Sequence, residues 1–423
     1  MLSKPCLAPF TSVNLDSTGQ VIPCCVYNLK GDDKNAYEYF PKPNLADNIT
    51  DKFNSWDWLR ADMKKGKYPS NCDVCKLRGE SGKTRADDYR RNLEPLITDE
   101  MENPKLLMMD LDLSNKCNLK CLHCGVHSST GWIKDEAKLL NVNGNKFKRE
   151  TRPWRSKIKN NNILDLLGSP ELTKHLKIVE IKGGEPLYQD QRYDVLDVFM
   201  KHDVAKNITL KYVTNMTYKD KKLLELWSNF DKVKLIISTE GTGELYNLIR
   251  GHKTTNTDIL KDNINWYVTK FHELKKQKHA CWFKEKLEPL KDSSTHLSIN
   301  WSVTAMACNI MDIDNIFDFI ESTNSGYNIK GTGSTPTLVV SPDYLDYRVL
   351  PKWYIDTARD TMSKSRHASV INFNNKLSYW PEEKRQQKFK LYVDYIEEIC
   401  RLRKQDPYAI PMWKELKDDY MAI

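Results

Sequence analysis

The 423-residue sequence has no apolar stretch approaching the ~18 residues that a membrane helix needs, so no membrane-spanning segment is expected. Its start, MLSKPCLAPF, lacks the basic stretch and long apolar run of an export signal, and the expected location is cytoplasmic. Proline (18) and glycine (17) are ordinary in number, which excludes collagen-like and low-complexity chains, and no internal repeat stands out. Charge of one sign is also missing in any quantity. The 65 Lys and Arg against 57 Asp and Glu leave +8, a bias that favours an acidic partner but does not by itself indicate nucleic acid. With 40% hydrophobic and 29% charged residues over this length, the chain can bury a substantial core in two or three structural units.

Cysteine, by contrast, is plentiful. Eleven are present, and eight of them fall before residue 125. In a long chain without an export signal, clustered thiols point to metal or redox work rather than a disulfide framework. Cys281, Cys308 and Cys400 are isolated and read as core or surface thiols.

From about Leu107, short β-like runs alternate with helical patterns, the mark of βα units around a parallel sheet. The runs are MMDLDL, KIVEIK, ITLKYVT, VKLIIS, LSINWSVT and TLVV, ending near 113, 182, 214, 238, 304 and 340. Helices are predicted over Tyr193–His202, Lys219–Asn229, Asn256–Lys275 and Ile313–Ser322 from apolar spacings of three and four. Six such units predict an α/β fold, a partial (β/α)6 TIM-type barrel, over 101–350. Residues 1–100 read as a small metal-bearing domain, with a hairpin-like TSVNLDSTGQVIPCC, a helix near Trp56–Lys65 and a second cysteine pair. Residues 351–423 read as a helical extension, clearest over Phe389–Lys404. Segment 141–160 carries seven Lys or Arg against one Glu, with Phe147 and Trp154 interleaved, and reads as an insertion with a solvated face.

CNLKCLHC places Cys117, Cys121 and Cys124 within eight residues, directly after a predicted strand. Three local thiolates leave one iron of a [4Fe–4S] cluster without a protein ligand, whereas a cluster that only carries electrons is usually closed by four. An open position on a metal is where chemistry happens. A zinc site or buried structural thiols is the competing reading. Against it stand KGGEP, TNM and ISTEG, each following a successive predicted strand, where a barrel gathers its functional loops.

With these motifs in place, region 105–345 resembles the radical S-adenosylmethionine (SAM) superfamily. The resemblance implies that Cys117, Cys121 and Cys124 hold the cluster and that SAM chelates the fourth iron. It implies a SAM-binding role for Gly183, Gly184, Glu185 and Pro186, the glycines allowing close backbone approach and Glu185 accepting from the SAM ammonium. Thr214 and Asn215 match the family's TNG loop with Met216 in place of glycine, and Ser238 and Glu240 fall where relatives face the ribose. His123 occupies the position of an adenine-stacking aromatic residue, although a zinc-ligand reading of this histidine stays open. For YNLIRG, a family segment and a plain helix with a packed Tyr246 and a surface Arg250 are both open readings.

Cys6, Gly19-x4-Cys24 and Cys72-x-x-Cys75, with SWDWLRADMKKGKYPSNCDVC between, resemble the twitch/SPASM-like auxiliary-cluster unit, here ahead of the barrel instead of behind it. Four thiolates would close an auxiliary [4Fe–4S] cluster, an electron relay, with structural zinc as the rival and Cys25 as a spare thiol. The resemblance further implies a flavodoxin- or ferredoxin-type reductant, a 5′-deoxyadenosyl radical, and a peptide, protein or small-molecule substrate. The basic aromatic segment offers nucleic acid as another substrate class. From a different class, a cysteine-rich zinc-binding protein that binds nucleic acid without catalysis explains the charge and the cysteines but not GGEP.

Overall fold

The structure is a computed structural model that describes residues 6–16, 19–27, 45–73, 75, 85–97, 99–144, 146–147, 167, 170–251, 255–282, 296–327, 335–339 and 341–422. Most of the basic segment 141–160 and the side chain of Cys281 lie outside the described residues. The chain forms two compact units. The first comprises Met1–Asn115, Arg155–Tyr212 and Lys221–Val233, the second Lys116–Trp154, Val213–Asp220 and Lys234–Ile423. Among the described residues, no helix is long and apolar enough to cross a membrane.

The fold is α/β, built on a mostly parallel seven-stranded sheet, as the alternating pattern predicts. Its strands are β1 (Ser12–Leu15), β2 (Val21–Ile22), β3 (Met108–Asp112), β4 (Ile178–Lys182), β5 (Thr209–Thr214), β6 (Lys232–Ser238) and β7 (Leu297–Ser302), in the order β2-β1-β3-β4-β5-β6-β7. Alternation decides which face each residue takes. In the first unit Val13, Leu15, Met109, Leu111, Val179, Ile181, Leu210 and Tyr212 point one way and are almost fully buried. Each such side chain contributes about 1.5–3 kcal/mol relative to exposure. The opposite face carries a polar row beside the apolar Met108 and Ile178. Asn14, Asp110, Glu180 and Lys211 are register partners on four neighbouring strands, all buried. They are not left without partners: Lys211 donates to Asn92, Asn14 to the Asp110 carbonyl, and Lys182 forms an ion pair with Asp110.

The N-terminal segment enters this sheet, which the sequence does not reveal. β1 and β2 form the expected antiparallel hairpin, with Asn14 opposite Ile22. β1 also pairs in parallel with β3, residue for residue from Ser12–Met108 to Leu15–Leu111. Hydrogen bonds fix the segment: Ser12 Oγ donates to the Pro23 carbonyl, and Arg60, buried in the helix Asp57–Lys64, donates through Nε to the Pro9 carbonyl at 2.8 Å. Leu7, Ala8, Tyr89, Leu93, Leu107, Met108 and Ile178 close an apolar cluster against which Cys6 and Cys24 pack.

The predicted helices form with small shifts, at Asp194–Lys201, Lys221–Trp227, Thr257–Trp282, Ile313–Gly326 and Glu382–Arg403. One run departs from expectation. TLVV supplies only β9 (Thr337–Leu338), which pairs in parallel with β8 (Thr304–Ala305) in a separate two-stranded sheet. Both residues of β9 are exposed, and Val339 after them is buried and donates to the Ala305 carbonyl, so this run is held by β8. Cys308 and Cys400 are buried core thiols, as expected of isolated cysteines.

Candidate metal centres

The second unit carries the cysteine triplet. Cys121 is buried and Cys117 and Cys124 are half-buried on a loop with almost no regular structure of its own. Such a loop needs partners for its backbone groups, and it finds them. The Lys120 and Leu122 amides donate to the Arg250 and Ile249 carbonyls at 3.2 and 2.8 Å. These carbonyls end the helix Gly243–Arg250, where intrahelical donors have run out. Ser129 Oγ donates to the Leu119 carbonyl, Trp132 Nε1 to Cys121 at 2.9 Å, and the Tyr395 hydroxyl to Leu122 at 3.2 Å. Gly251 closes the helix at φ +66°, and a Cβ there would collide with the Lys120 carbonyl. YNLIRG is therefore the seat of the cysteine loop.

The thiols sit among donors and positive charge. Leu119 N–H donates to Cys117 Sγ at 3.4 Å, and Asn215 Nδ2 makes a longer contact to the same sulfur at 4.0 Å while donating to Asn118 at 3.0 Å. Arg250 Nη1 reaches Cys121 Sγ at 3.5 Å, and its Nη2 pairs with Glu240 at 2.7 Å. The Cys124 thiol, hydrogen-bonded to Cys121, pulls Cys121 down to about 6, and Arg250 and Arg403 add to this against the cost of burial. The shared proton stays with Cys124, pushed well up by that bond and by burial. Burial opposes the charge on Arg250, but Glu240 and Cys121 outweigh it and keep the guanidinium protonated. Burial lifts Glu240 to about 7, with Arg250 pulling the other way.

The other predicted residues of this unit lie on the same framework. Asn215 follows Thr214 at the end of β5, and Met216, where relatives have glycine, adopts φ +55°. That left-handed backbone costs a non-glycine residue about 1–2 kcal/mol. Two bonds hold it there: the Met216 amide donates to Thr214 Oγ1, and Asn263 donates to the Met216 carbonyl. Ser238 ends β6, half-buried. Glu240 is engaged by Arg250, and Asn309 donates to the Glu240 carbonyl at 2.8 Å. His123 is half-buried within the cysteine loop.

GGEP belongs to the first unit. Gly183 has φ +119°, and a Cβ there would run into the Asp112 carboxylate and the Ser114 carbonyl, so only glycine fits. Gly184 donates to the same carbonyl at 2.8 Å. Glu185, 1% exposed, accepts from the Leu187 amide and so caps the turn that begins at Pro186.

The first unit also gathers the second cysteine group. Cys6, Cys24, Cys72 and Cys75 line one pocket with Val26, Tyr27, Tyr68, Asn71 and Tyr89, although 66 residues separate the first thiol from the third. Cys25 does not line it. Burial pushes the Cys24 thiol well up, and the neighbouring Cys25, Cys6 and Cys72 push it further.

Four residues of the loop's surroundings were not legible as site residues: Arg250, Trp132, Tyr395 and Arg403. Arg250, expected on the surface in one of the two readings of its helix, is 3% exposed. YNLIRG carried a signal for it; the other three carried none.

Residues 111–277 match the family model of the Radical SAM superfamily, and they contain the three loop cysteines, GGEP, Thr214–Asn215 and Ser238–Glu240. Residues 111–277, about two fifths of the chain, thus carry a domain similar to the Radical SAM superfamily. Among solved structures it is similar to native anSMEcpe with bound AdoMet and Cp18Cys peptide, at 18% identity over 69% of this chain and 60% of that one, with a TM-score of 0.31. It is also similar to Streptococcus suis SuiB bound to S-adenosylmethionine, at 13% identity over 68% and 62%, with a TM-score of 0.30. For the same SuiB bound to precursor peptide SuiA the values are 11%, 85% and 61%, with a TM-score of 0.29. The likeness thus spans about 60% of the length of these chains. No curated protein matches the sequence.

Proposed function

We propose that this chain is a radical SAM enzyme in which Cys117, Cys121 and Cys124 hold a [4Fe–4S] cluster that takes SAM on its fourth iron. When bound there, cluster and SAM supply reductive cleavage to methionine and a 5′-deoxyadenosyl radical, using one electron from a flavodoxin- or ferredoxin-type donor. The observation that carries this reading is a three-cysteine loop whose backbone polar groups are tied down from several elements and whose central thiol is contacted by a buried arginine. Metal ligation needs the thiolate, and Arg250 favours it.

The chain's own residues divide the remaining work. Gly183 and Gly184 provide close backbone approach for the methionyl end of SAM, with Glu185, Thr214, Asn215, Ser238, Glu240 and His123 as further SAM contacts. Cys6, Cys24, Cys72 and Cys75 would hold an auxiliary [4Fe–4S] cluster closed by four thiolates, suited to accept an electron and make the reaction a net oxidation. The substrate we favour is a peptide or protein. Anaerobic purification decides the first point: about eight irons with matching sulfide are expected, and dithionite plus SAM should yield 5′-deoxyadenosine. Zinc alone, or an iron-loaded chain that never cleaves SAM, overturns the proposal.

A further inference from the structure

We propose that the helix Glu382–Arg403 is a positioning element for the cysteine loop, Arg403 placing a fixed positive charge behind Cys121 and Tyr395 fixing the Leu122 carbonyl. The inference rests on the radical SAM reading and deepens it, because it names what tunes and steadies that cluster site from a part of the chain far outside the cysteine motif.

Arg403 ends its helix with a side chain only 2% exposed. Nε donates to Asp135 at 2.9 Å, and the guanidinium lies 4.4 Å over the Trp132 ring. Both partners lead straight back to the loop. Trp132 Nε1 donates to the Cys121 carbonyl, and Asp135 takes Lys120 Nζ at 2.9 Å. Two turns earlier on the same helix face, the buried Tyr395 hydroxyl reaches the Leu122 carbonyl. The helix therefore reaches the loop directly at the Leu122 carbonyl and, through Trp132 and Asp135, at the Cys121 carbonyl and the Lys120 ammonium. Gly251 makes room for this: a Cβ there would meet Arg403 Nη1 at 2.5 Å.

Packing alone does not account for an arginine here. Its Nη1 and Nη2 are buried and have no hydrogen-bond partner among the described residues, a costly arrangement that an apolar side chain of similar volume avoids. What such a replacement loses is the charge. A fixed cation stabilises the form of a cluster site carrying one more electron, and so raises its potential. Arg250 contacts the sulfur directly, whereas Arg403 acts through Trp132 and Asp135.

The test uses the full chain, loaded anaerobically with iron and sulfide, as wild type, Arg403→Gln, Arg403→Lys and Tyr395→Phe. Readouts are iron per chain, the SAM-dependent part of the reduced-cluster electron paramagnetic resonance spectrum, the midpoint potential, and 5′-deoxyadenosine formation. Arg403→Gln should keep its iron, move the potential to more negative values and slow product formation by about tenfold, the lower end of outer-contact effects at metal sites. Arg403→Lys should restore the potential, since it restores the charge. Tyr395→Phe should leave the potential in place and alter the SAM-dependent spectrum. An Arg403→Gln chain with full iron and wild-type potential and spectrum overturns the inference. If that variant fails to load, Tyr395→Phe decides, an unchanged spectrum and unchanged KM for SAM counting against the helix. Failure of the wild type itself to cleave SAM strikes the proposed function instead, so the two failures are distinguishable.

Discussion

The two cysteine groups differ in the side chains that surround them. The triplet loop lies against two buried arginines, and its central thiol is lowered to about 6. In the N-terminal pocket, burial and the neighbouring Cys25, Cys6 and Cys72 push Cys24 well up, as the Cys121 bond and burial do to Cys124 in the loop. The lesson concerns preparation. On the proposed function, a loop that holds an open cluster has to keep its shape and charge, and neighbouring side chains supply both. A pocket with four thiols can leave charge balance to the metal it closes around.

The largest effect expected separates the two groups by function. Cys121→Ala should remove 5′-deoxyadenosine formation entirely, whereas Cys72→Ala should leave it measurable and lower the iron from about eight to about four per chain. Equal loss of SAM cleavage in both would erase the distinction. Next comes the arginine that marks the loop. Arg250→Met strands the buried Glu240 and should cost about 3–5 kcal/mol in urea unfolding, as breaking a buried pair does.

A smaller effect probes the support behind the loop. Asp135 is held below the usual carboxylate range, for although burial opposes it, Lys120 and Arg403 prevail. A lowered folded-state value means that its stabilisation is present above the unfolded value and is lost as pH falls through the folded one. Asp135→Asn should therefore destabilise by about 1–3 kcal/mol at pH 7. The gap from wild type should close as pH falls below about 4, which thermal unfolding across pH measures. Smallest is Cys25→Ser, which should leave iron content unchanged where Cys24→Ser lowers it.

Much of the framework was legible because it depends on local pattern. Strands β3 to β7 follow from short β-like runs that alternate with helical patterns, the long helices from three-and-four spacing, and the hairpin from TSVNLDSTGQVIPCC. Gly183 was read as giving close approach to SAM; what its φ of +119° against Asp112 and Ser114 shows is a need for glycine set by the protein's own packing. TLVV was misleading because an apolar run does not say whether another element will cover it. The parallel pairing of β1 with β3 was hidden for a related reason: no local signal selects which strand a short hairpin joins.

By itself the sequence determined the chemistry that belongs to spacing: three thiols on one loop, two glycines and a glutamate after the next strand, and a four-cysteine group earlier in the chain. Tertiary structure alone decided which side chains surround those thiols. Tyr395 and Arg403 lie more than 270 residues from the loop atoms they hold or influence, and no periodicity reaches that far. The reason is physical: covalent spacing fixes what a loop can ligate, whereas its charge and rigidity come from whichever elements fold against it.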